Sequence, residues 1–301
     1  SDGKSVYLPV TQRIDLGYPI EKMDFKEMEL QVSDYRLLVD VPEEIRPLLP
    51  SSFDTVGSIA IVKMEDEVAP YAAKIGKAIM ATQISIKTVC MDSGVIDEFR
   101  TRDVKVVAGE KTTETIHKEY GLTFKVDVAR AFFTPRLATE RQAVAKQVKP
   151  GEVVIDMFAG IGPFSIMIAK TGSPRIVYAI DMNPDAIELM KENIALNKAT
   201  TVSPILGDAR EVVPGLEKAD HIIMNLPHDG RGFIGEAIRA LKPGGVIHFY
   251  EITEEDEVQK SLDEIADAAR REGRLMKELA RRRIKSYSPT MTFYGFDLQF
   301  L

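Results

Sequence analysis

The sequence predicts an α/β protein in which a doubly wound, mainly parallel sheet follows a smaller α+β region. From Glu152 onward, short apolar strand candidates alternate with helical segments, the pattern of a parallel sheet covered on both faces. Two strand candidates around a short Ser-Pro-Thr turn end the sequence, so we expect an antiparallel strand pair at one edge. Upstream of residue 134, several strand candidates and one helical segment (68–83) indicate the α+β region.

The composition excludes several classes of protein. The 301 residues are 45% hydrophobic and 28% charged, as in ordinary globular proteins. No apolar run approaches the roughly 18 residues of a membrane span, so no membrane partner is expected. The single cysteine, Cys90, excludes an intrachain disulfide framework and predicts a cytoplasmic location. The four histidines show no metal-ligand spacing, and no metal site is expected.

The charge distribution leaves two interpretations of one basic segment. The net charge of −7 argues against a broadly basic nucleic-acid surface. Residues 270–285, RREGRLMKELARRRIK, nevertheless carry eight Lys or Arg against two Glu. The segment is either a solvated helix face followed by a strand, or a local track for phosphates.

A glycine turn marks the first strand of the predicted parallel sheet. In DMFAGIGPFSIMIAK (156–170), a buried strand runs into a turn with Gly160 and Gly162, and then into a helix. Glycines let a ligand approach the backbone, and a helix N-terminus offers unpaired N–H groups. The spacing is neither G-x-G-x-x-G nor a P-loop, so the motif predicts a nucleotide-type pocket without naming the nucleotide.

Polar residues follow the next three strands in turn. Asp181 ends the second strand, where an acid can accept both hydroxyls of a ribose. Asp208 ends the third, where an acid and the next backbone N–H can recognise an adenine edge. Asn225 follows the fourth, and its amide can both donate and accept hydrogen bonds. Four such features at successive strand ends resemble the Rossmann-like class I S-adenosylmethionine methyltransferase fold.

The motifs resemble one family within that class. DMFAGIGPFSI, AIDMNPDAIELMKENIALNK, GDARE, IMNLP, GGVIHFYEI and RIKSYSP, with the upstream segment FRTRDVKVVAGEKTTETIHKEYG, are similar to the archaeal and eukaryotic tRNA (guanine-37-N1) methyltransferases. The resemblance covers roughly residues 50–301. It implies S-adenosylmethionine as cofactor, tRNA with G37 as substrate and a monomeric enzyme.

The resemblance also implies three parts of the chain. Residues 1–49 would be an incomplete N-terminal tRNA-contacting domain, and residues 50–133 an α+β domain that binds RNA and contributes to the active site. Residues 134–301 would form the S-adenosylmethionine-binding methyltransferase domain.

The site residues follow from the same resemblance. Glu140 matches the family's general base, Arg100 the arginine that stabilises O6, and Asn225 the residue that holds the guanine edge. The residues expected at the cofactor are Arg136, Arg141, Phe158, Gly160, Asp181, Met182, Asp208, Ala209 and Asn225. Without the resemblance, Glu140 and Arg141 would be interpreted as exposed residues on a helix face.

Several functions besides guanine-37 methylation are compatible with the sequence. The aminocarboxypropyl transferase of wybutosine synthesis shares the fold and cofactor, but that family typically departs from GPFS and lacks NLP, both of which this chain keeps. The same motifs would suit a methyltransferase of a wyosine precursor at the same position, one acting on ribosomal RNA, or a non-catalytic RNA chaperone or scaffold. A pure binder would need no general base, which favours an enzyme.

Overall fold

The computed structural model describes residue 15, residues 17 and 18, residues 33–95 and residues 101–301. Most of the predicted N-terminal part (1–49) and the candidate Arg100 therefore lie outside the described residues. The strands are β1 (Asp54–Val56), β2 (Ile59–Lys63), β3 (Thr88–Val95), β4 (Arg102–Gly109), β5 (Glu114–Glu119), β6 (Leu122–Asp127), β7 (Val153–Asp156), β8 (Ile176–Asp181), β9 (Val202–Leu206), β10 (Ala219–Met224), β11 (Leu241–Glu254), β12 (Met276–Ser286) and β13 (Met291–Phe300). The helices are α1 (Ala72–Thr82), α2 (Ala138–Ala145), α3 (Pro163–Thr171), α4 (Pro184–Asn197), α5 (Ala209–Val212), α6 (Ile234–Ala240) and α7 (Val258–Arg271).

Seven strands form the large sheet, in the order β12-β13-β11-β10-β7-β8-β9. Strands β9, β8, β7, β10 and β11 pair in parallel, and β13 runs antiparallel to both β11 and β12. The predicted parallel sheet with an antiparallel strand pair at one edge is therefore confirmed. The strand order reverses direction between β7 and β10, and ligands of open α/β sheets bind at such a switch point.

A four-stranded sheet, β1-β2-β3-β4, precedes the large sheet and contains the parallel pair β2–β3 connected through α1. From its apolar residues, the segment VGSIAIVKM (56–64) predicts a single strand, whereas the structure has a hairpin, β1–β2. The reason is Gly57, whose φ of +55° allows the chain to reverse there.

The β5–β6 hairpin is bound to helix α4 by two asparagines. Asn193 accepts from the Lys125 N–H and donates to its carbonyl, and Asn197 makes the same pair of bonds to Thr123. The two side-chain amides therefore make the hydrogen bonds to the β6 backbone that a neighbouring strand would otherwise make. The predicted boundary at residue 134 stays a prediction.

Apolar side chains cover both faces of the large sheet. One buried cluster joins that sheet to β2, β6 and α2, and a second fills the face covered by α6 and α7. Among the described residues, no helix is both long and apolar enough to cross a membrane.

Candidate active site

The sheet order brings the predicted strand-end residues to one edge. Strands β10, β7, β8 and β9 are consecutive neighbours and parallel, so their carboxyl ends lie side by side. These ends carry Asn225 after β10, Phe158 and Gly160 after β7, Asp181 and Met182 at β8, and Asp208 and Ala209 after β9. The fold therefore places the predicted cofactor residues of the four loops together.

The glycine turn after β7 is fixed to the end of β8. Gly160 and Gly162 have φ values of +56° and +85°, a region that side chains rarely adopt. The Gly160 N–H donates to Asp181 Oδ2 at 2.6 Å, and the Asn183 N–H donates to Asp181 Oδ1 at 2.9 Å. Burial raises the pKa of Asp181. Each oxygen keeps a further lone pair, so the carboxylate can still accept from a ligand.

Hydrogen bonds fix the conformations of the loops after β9 and β10. Asp208 caps α5 by accepting from the Arg210 N–H at 2.8 Å, and the Arg210 guanidinium lowers the pKa of that carboxyl. Ala209 is the first residue of this helix. The loop with Asn225 is tied to β11, because the Ile252 N–H donates to the Pro227 carbonyl at 3.0 Å.

Asp156 lies directly beneath the glycine turn and is buried. Ser165 Oγ donates to its Oδ2 at 2.7 Å. In the described part of the chain, Asp156 Oδ1 is the one buried side-chain oxygen or nitrogen without a hydrogen-bond partner. Burial raises the pKa of Asp156 to about 7, so its charge changes near neutral pH.

Glu140 lies on α2 and is buried, with 8% of its surface exposed. The Arg282 Nε–H is shared between its two oxygens, at 3.1 Å from Oε1 and 2.9 Å from Oε2. The Tyr250 hydroxyl lies 3.4 Å from Oε2, a long hydrogen bond. Oε1 thus has a single partner among these contacts, and the carboxylate retains the capacity to accept a proton.

The two arginines that flank Glu140 have different surroundings. Arg136, in a 3₁₀ turn before α2, is exposed and pairs with Asp54 at 2.6 Å. Arg141 is buried and forms a two-point bond with Glu119, at 2.7 and 2.6 Å. Without the family resemblance, Glu140 and Arg141 would be interpreted as exposed residues on a helix face. That interpretation is wrong, because α2 packs against α3 and is covered by the β5–β6 hairpin, so both side chains are buried.

Three residues of this region were not singled out from the sequence. Arg282, Tyr250 and Asp297 surround Glu140 directly or through one intermediate, although they lie more than 100 positions away in the chain. A signal existed: in a strand, the middle residue of Arg-Arg-Arg points to the opposite face from its neighbours. Within the described residues, no group of three or more His, Cys, Asp or Glu has the arrangement of a metal site.

Comparison with known proteins decides the family. The TRM5/TYW2 methyltransferase domain matches residues 115–276, and the TYW2 N-terminal domain matches residues 35–112. The tRNA (guanine(37)-N(1))-methyltransferase Trm5b of Pyrococcus abyssi is 43% identical over 99% of this chain and 89% of its own length. The chain belongs to the TRM5/TYW2 methyltransferase family.

Both branches of the TRM5/TYW2 family are represented among the similar proteins. An aminocarboxypropyltransferase of Methanocaldococcus jannaschii, named for tRNA(Phe) 4-demethylwyosine(37)-C(7), is 37% identical over 82% of this chain and 97% of its own. The crystal structure of Trm5b from Pyrococcus abyssi superposes with a TM-score of 0.86 and 42% identity, covering 97% of this chain and 87% of that one.

Two further structures of the family hold ligands. A complex of aTrm5 with tRNALeu has a TM-score of 0.76 and 40% identity, covering 85% of this chain and 74% of that one. TYW2 of Methanocaldococcus jannaschii in complex with AdoMet has a TM-score of 0.65 and 32% identity, covering 83% and 99%.

Proposed function

We propose that this chain transfers the methyl group of S-adenosylmethionine to N1 of guanosine 37 in tRNA. The observation that carries the proposal is the buried Glu140 carboxylate, held by Arg282 of β12 and near the Tyr250 hydroxyl of β11, in a chain that aligns over nearly its whole length with a Trm5b enzyme. A methyltransferase acting on guanine N1 must remove a proton, and a buried carboxylate with a free lone pair is suited to that role.

Glu140 is proposed to take the proton from guanine N1. The neutral guanine N1 carries a hydrogen and is a poor nucleophile at neutral pH, so a positioned base lowers the barrier. The charge that develops on O6 requires a cation, and Arg100 is proposed for it from the family resemblance. Arg102 is a poor substitute, because its guanidinium is bound to Asp92 at 3.0 Å.

The strand-end loops fit S-adenosylmethionine by the chemistry of their donors and acceptors. Asp181 offers carboxylate oxygens for ribose hydroxyls, and Asp208 with the Ala209 N–H offers an acceptor and a donor for an adenine edge. Beneath the turn, the buried Asp156 Oδ1 has no hydrogen-bond partner among the described residues. When bound, S-adenosylmethionine supplies the electrophilic methyl group. Phe158, Met182, Arg136, Arg141 and Asn225 remain predicted contacts.

The substrate is proposed to be the anticodon loop of a tRNA. A base must leave its stack to reach a buried carboxylate, and bases of single-stranded loops unstack at the lowest cost. The exposed basic residues of β12, with Lys105, Lys111 and Lys118, are proposed to contact phosphates. The monomeric state and the cytoplasmic location stay predictions.

The test uses unmodified tRNA transcripts that differ only at position 37. The protein is incubated with S-adenosylmethionine and either a G37 or an A37 transcript, and the nucleosides are analysed by mass spectrometry. We expect 1-methylguanosine from the G37 transcript alone. We expect Glu140→Gln to lower the single-turnover rate by about 10² to 10⁴-fold while cofactor affinity changes little. A methylated A37 transcript would contradict the proposal.

Aminocarboxypropyl transfer is a second candidate function with a specific observation in its favour. Residues 35–112 match a domain named for TYW2, and TYW2 relatives share the methyltransferase-type sheet. The same assay, repeated on a tRNA that carries a wyosine precursor at position 37, separates the two activities, because an aminocarboxypropyl group adds a larger mass than a methyl group. A product with that larger mass on a wyosine precursor would replace the methyl-transfer proposal.

A further inference from the structure

The three consecutive arginines of β12 have different environments. Arg281 and Arg283 are exposed, whereas Arg282 is half-buried on the opposite face of the strand. Arg281 pairs with Glu278 on the same strand at 2.8 Å, and Arg283 reaches Thr292 at 3.3 Å. Only the middle arginine turns toward Glu140. The strand period of two therefore assigns Arg282 to the interior and leaves its neighbours on the surface.

All three nitrogens of the Arg282 guanidinium contact carboxylates. Nε donates to Glu140, while Nη1 and Nη2 donate to Asp297 Oδ2 and Oδ1 at 2.7 and 2.9 Å. The bond to Asp297 is bidentate, which fixes the plane of the guanidinium. A fixed plane in turn fixes the direction of Nε–H, and so the position at which the Glu140 carboxylate is held.

Asp297 is itself held by two further side chains. Gln147 Nε2 donates to Oδ2 at 2.9 Å, and His248 Nδ1 lies 2.7 Å from Oδ1. His248 Nε2 lies 3.0 Å from His221 Nδ1, so the hydrogen-bonded chain continues across the sheet. Burial acts to raise the pKa of Asp297, but the bonds from His248 and Arg282 outweigh it and hold that pKa well below its usual range, so the carboxylate stays charged.

Gly295 provides the space that the Glu140 carboxylate occupies. It lies opposite Arg282 in the β12–β13 register. A Cβ built on Gly295 would lie 3.0 Å from Tyr250 Cε1 and 3.3 Å from Glu140 Oε2. A glycine inside a strand is otherwise unfavourable, and a close approach of another group explains it.

We propose that Arg282, clamped by Asp297 and facing Gly295, is a positioning residue that holds the Glu140 carboxylate in the orientation needed to accept the guanine N1 proton. This inference rests on the proposed function, with Glu140 as the base. The rival explanation is purely structural: Arg282 would only neutralise two buried carboxylates. The two explanations differ in the rate expected of Arg282→Lys, which keeps the charge and loses the planar fork that orients Glu140.

The test measures single-turnover methyl transfer from pH 5.5 to 9 on a G37 transcript, with saturating cofactor. Arg282→Gln removes a cation beside Glu140, so we expect the acidic limb of the pH–rate profile to move to higher pH. Asp297→Asn removes an anion from Arg282, so we expect the limb to move to lower pH. The ionisable groups that face Glu140 are Arg282 and Tyr250. Those that face Arg282 are Glu140, Asp297 and the Tyr250 hydroxyl, and Asp297 is also bonded to His248. The burial that raises the pKa of Tyr250 well above its usual value keeps that hydroxyl neutral over the measured pH range, so it does not reverse these signs.

Conservative variants separate positioning from folding. Arg282→Lys keeps the charge and loses the planar fork, so we expect a rate about 10 to 100-fold lower with KM for tRNA and cofactor within threefold. Added guanidinium ion should restore part of the rate of Arg282→Ala and none of the rate of Glu140→Gln. The matched control is Arg239→Gln, which removes an arginine that also pairs with two carboxylates, Glu236 and Glu272, and should keep the rate within twofold.

The outcomes separate this inference from the proposed function. An inactive native protein overturns both. An active native protein whose Glu140→Gln variant is equally active overturns the role of the base and the positioning role with it. If Glu140→Gln is inactive, two results would overturn the positioning role alone. The first is an Arg282→Lys variant that keeps the native rate. The second is a pair of pH–rate profiles, for Arg282→Gln and Asp297→Asn, that coincide with the native profile. Opposite shifts of the two profiles, with rescue by guanidinium, support it.

Discussion

At the scale of single residues, burial determines which titratable groups can act near neutral pH. Asp156 and Asp181 are adjacent strand ends, and burial raises the pKa of both carboxyls. His221 responds in the opposite direction: burial and the neighbouring His248 lower its pKa to about 3. Sequence alone indicated the position of each aspartate at a strand end, whereas the surrounding apolar shell that shifts the pKa is a property of the packed sheet.

Asp156→Asn should make the stability of the protein less sensitive to pH. The folded-state pKa is about 7 against an ordinary value of 3.8, so the folded state binds the proton more tightly between those values. The favourable contribution of protonated Asp156 is present below pH 4 and is lost as the pH rises through 7. Asparagine mimics the protonated form, so we expect the variant to be more stable than the native protein by about 4 kcal/mol at pH 8, with little difference at pH 4.

Urea unfolding of the cofactor-free protein at the two pH values checks the effect of this substitution. Ser165→Ala is a useful companion, because it removes the hydroxyl that donates to Asp156 Oδ2 and leaves the carboxyl in place. An equal stability change at pH 4 and pH 8 in Asp156→Asn would show that the carboxyl does not titrate in this range.

At the scale of secondary-structure elements, two features have most influence on the site. The glycine turn joins β7 to α3, and Asn193 on α4 fastens that turn to the β5–β6 hairpin. The sequence predicted the turn from its glycines. It gave no indication of the Asn193 contacts, because an asparagine inside an amphipathic helix has the same pattern whether it faces solvent or a strand.

Asn193→Ala should loosen the hairpin and the glycine turn together. The fully buried amide accepts from the Lys125 N–H at 2.7 Å and donates to the carbonyls of Lys125 and Ile161, each at 3.1 Å. Its removal leaves three backbone groups unsatisfied, so we expect a loss of about 2 to 4 kcal/mol in the free energy of unfolding. Denaturant unfolding measures it, with Asn197→Ala as the more exposed comparison. A loss below about 0.5 kcal/mol would contradict the role.

The exposed arginines of β12 provide the test of RNA contact. Arg281→Gln combined with Arg283→Gln removes two surface charges and leaves the half-buried Arg282 unchanged. If both contact phosphates, tRNA affinity should fall roughly tenfold at 0.1 M salt and the slope of log K against log salt should decrease by about 1.5. Filter binding over a salt series measures both quantities. An unchanged slope would remove this strand from the RNA interface.

At the scale of the whole molecule, ion pairs connect parts of the chain that the sequence analysis described separately. Arg141 and Glu119 join α2 to the β5–β6 hairpin, and both are almost inaccessible to water. Arg136 and Asp54 join the same region to the four-stranded sheet. In the sequence, Glu140 lies between Arg136 and Arg141. The orientation of its side chain therefore depends on how the β5–β6 hairpin, the four-stranded sheet and the large sheet pack together.

Arg141→Met should destabilise the chain far more than a surface substitution. It leaves the Glu119 carboxylate buried without its cation, which typically costs about 3 to 5 kcal/mol. The double variant Arg141→Met with Glu119→Leu removes both charges, and we expect it to recover most of that loss. Chemical denaturation measures the cycle, and calorimetric titration with S-adenosylmethionine measures affinity. Low affinity that persists in the refolded double variant would support the predicted contact between Arg141 and the cofactor.

Local sequence determined the parts of this protein that depend on neighbouring residues. Strand and helix alternation, the glycine turn, the acidic strand ends and the C-terminal strand pair all follow from periodicity and turn chemistry over fewer than about 20 residues. Tertiary structure alone decided what Glu140 contacts. Its partners Tyr250 and Arg282 lie 110 and 142 positions away. Gly295 and Asp297 of β13 and His248 of β11 complete the arrangement. No periodic pattern encodes such distances, because the order of strands in the sheet is what brings these residues together.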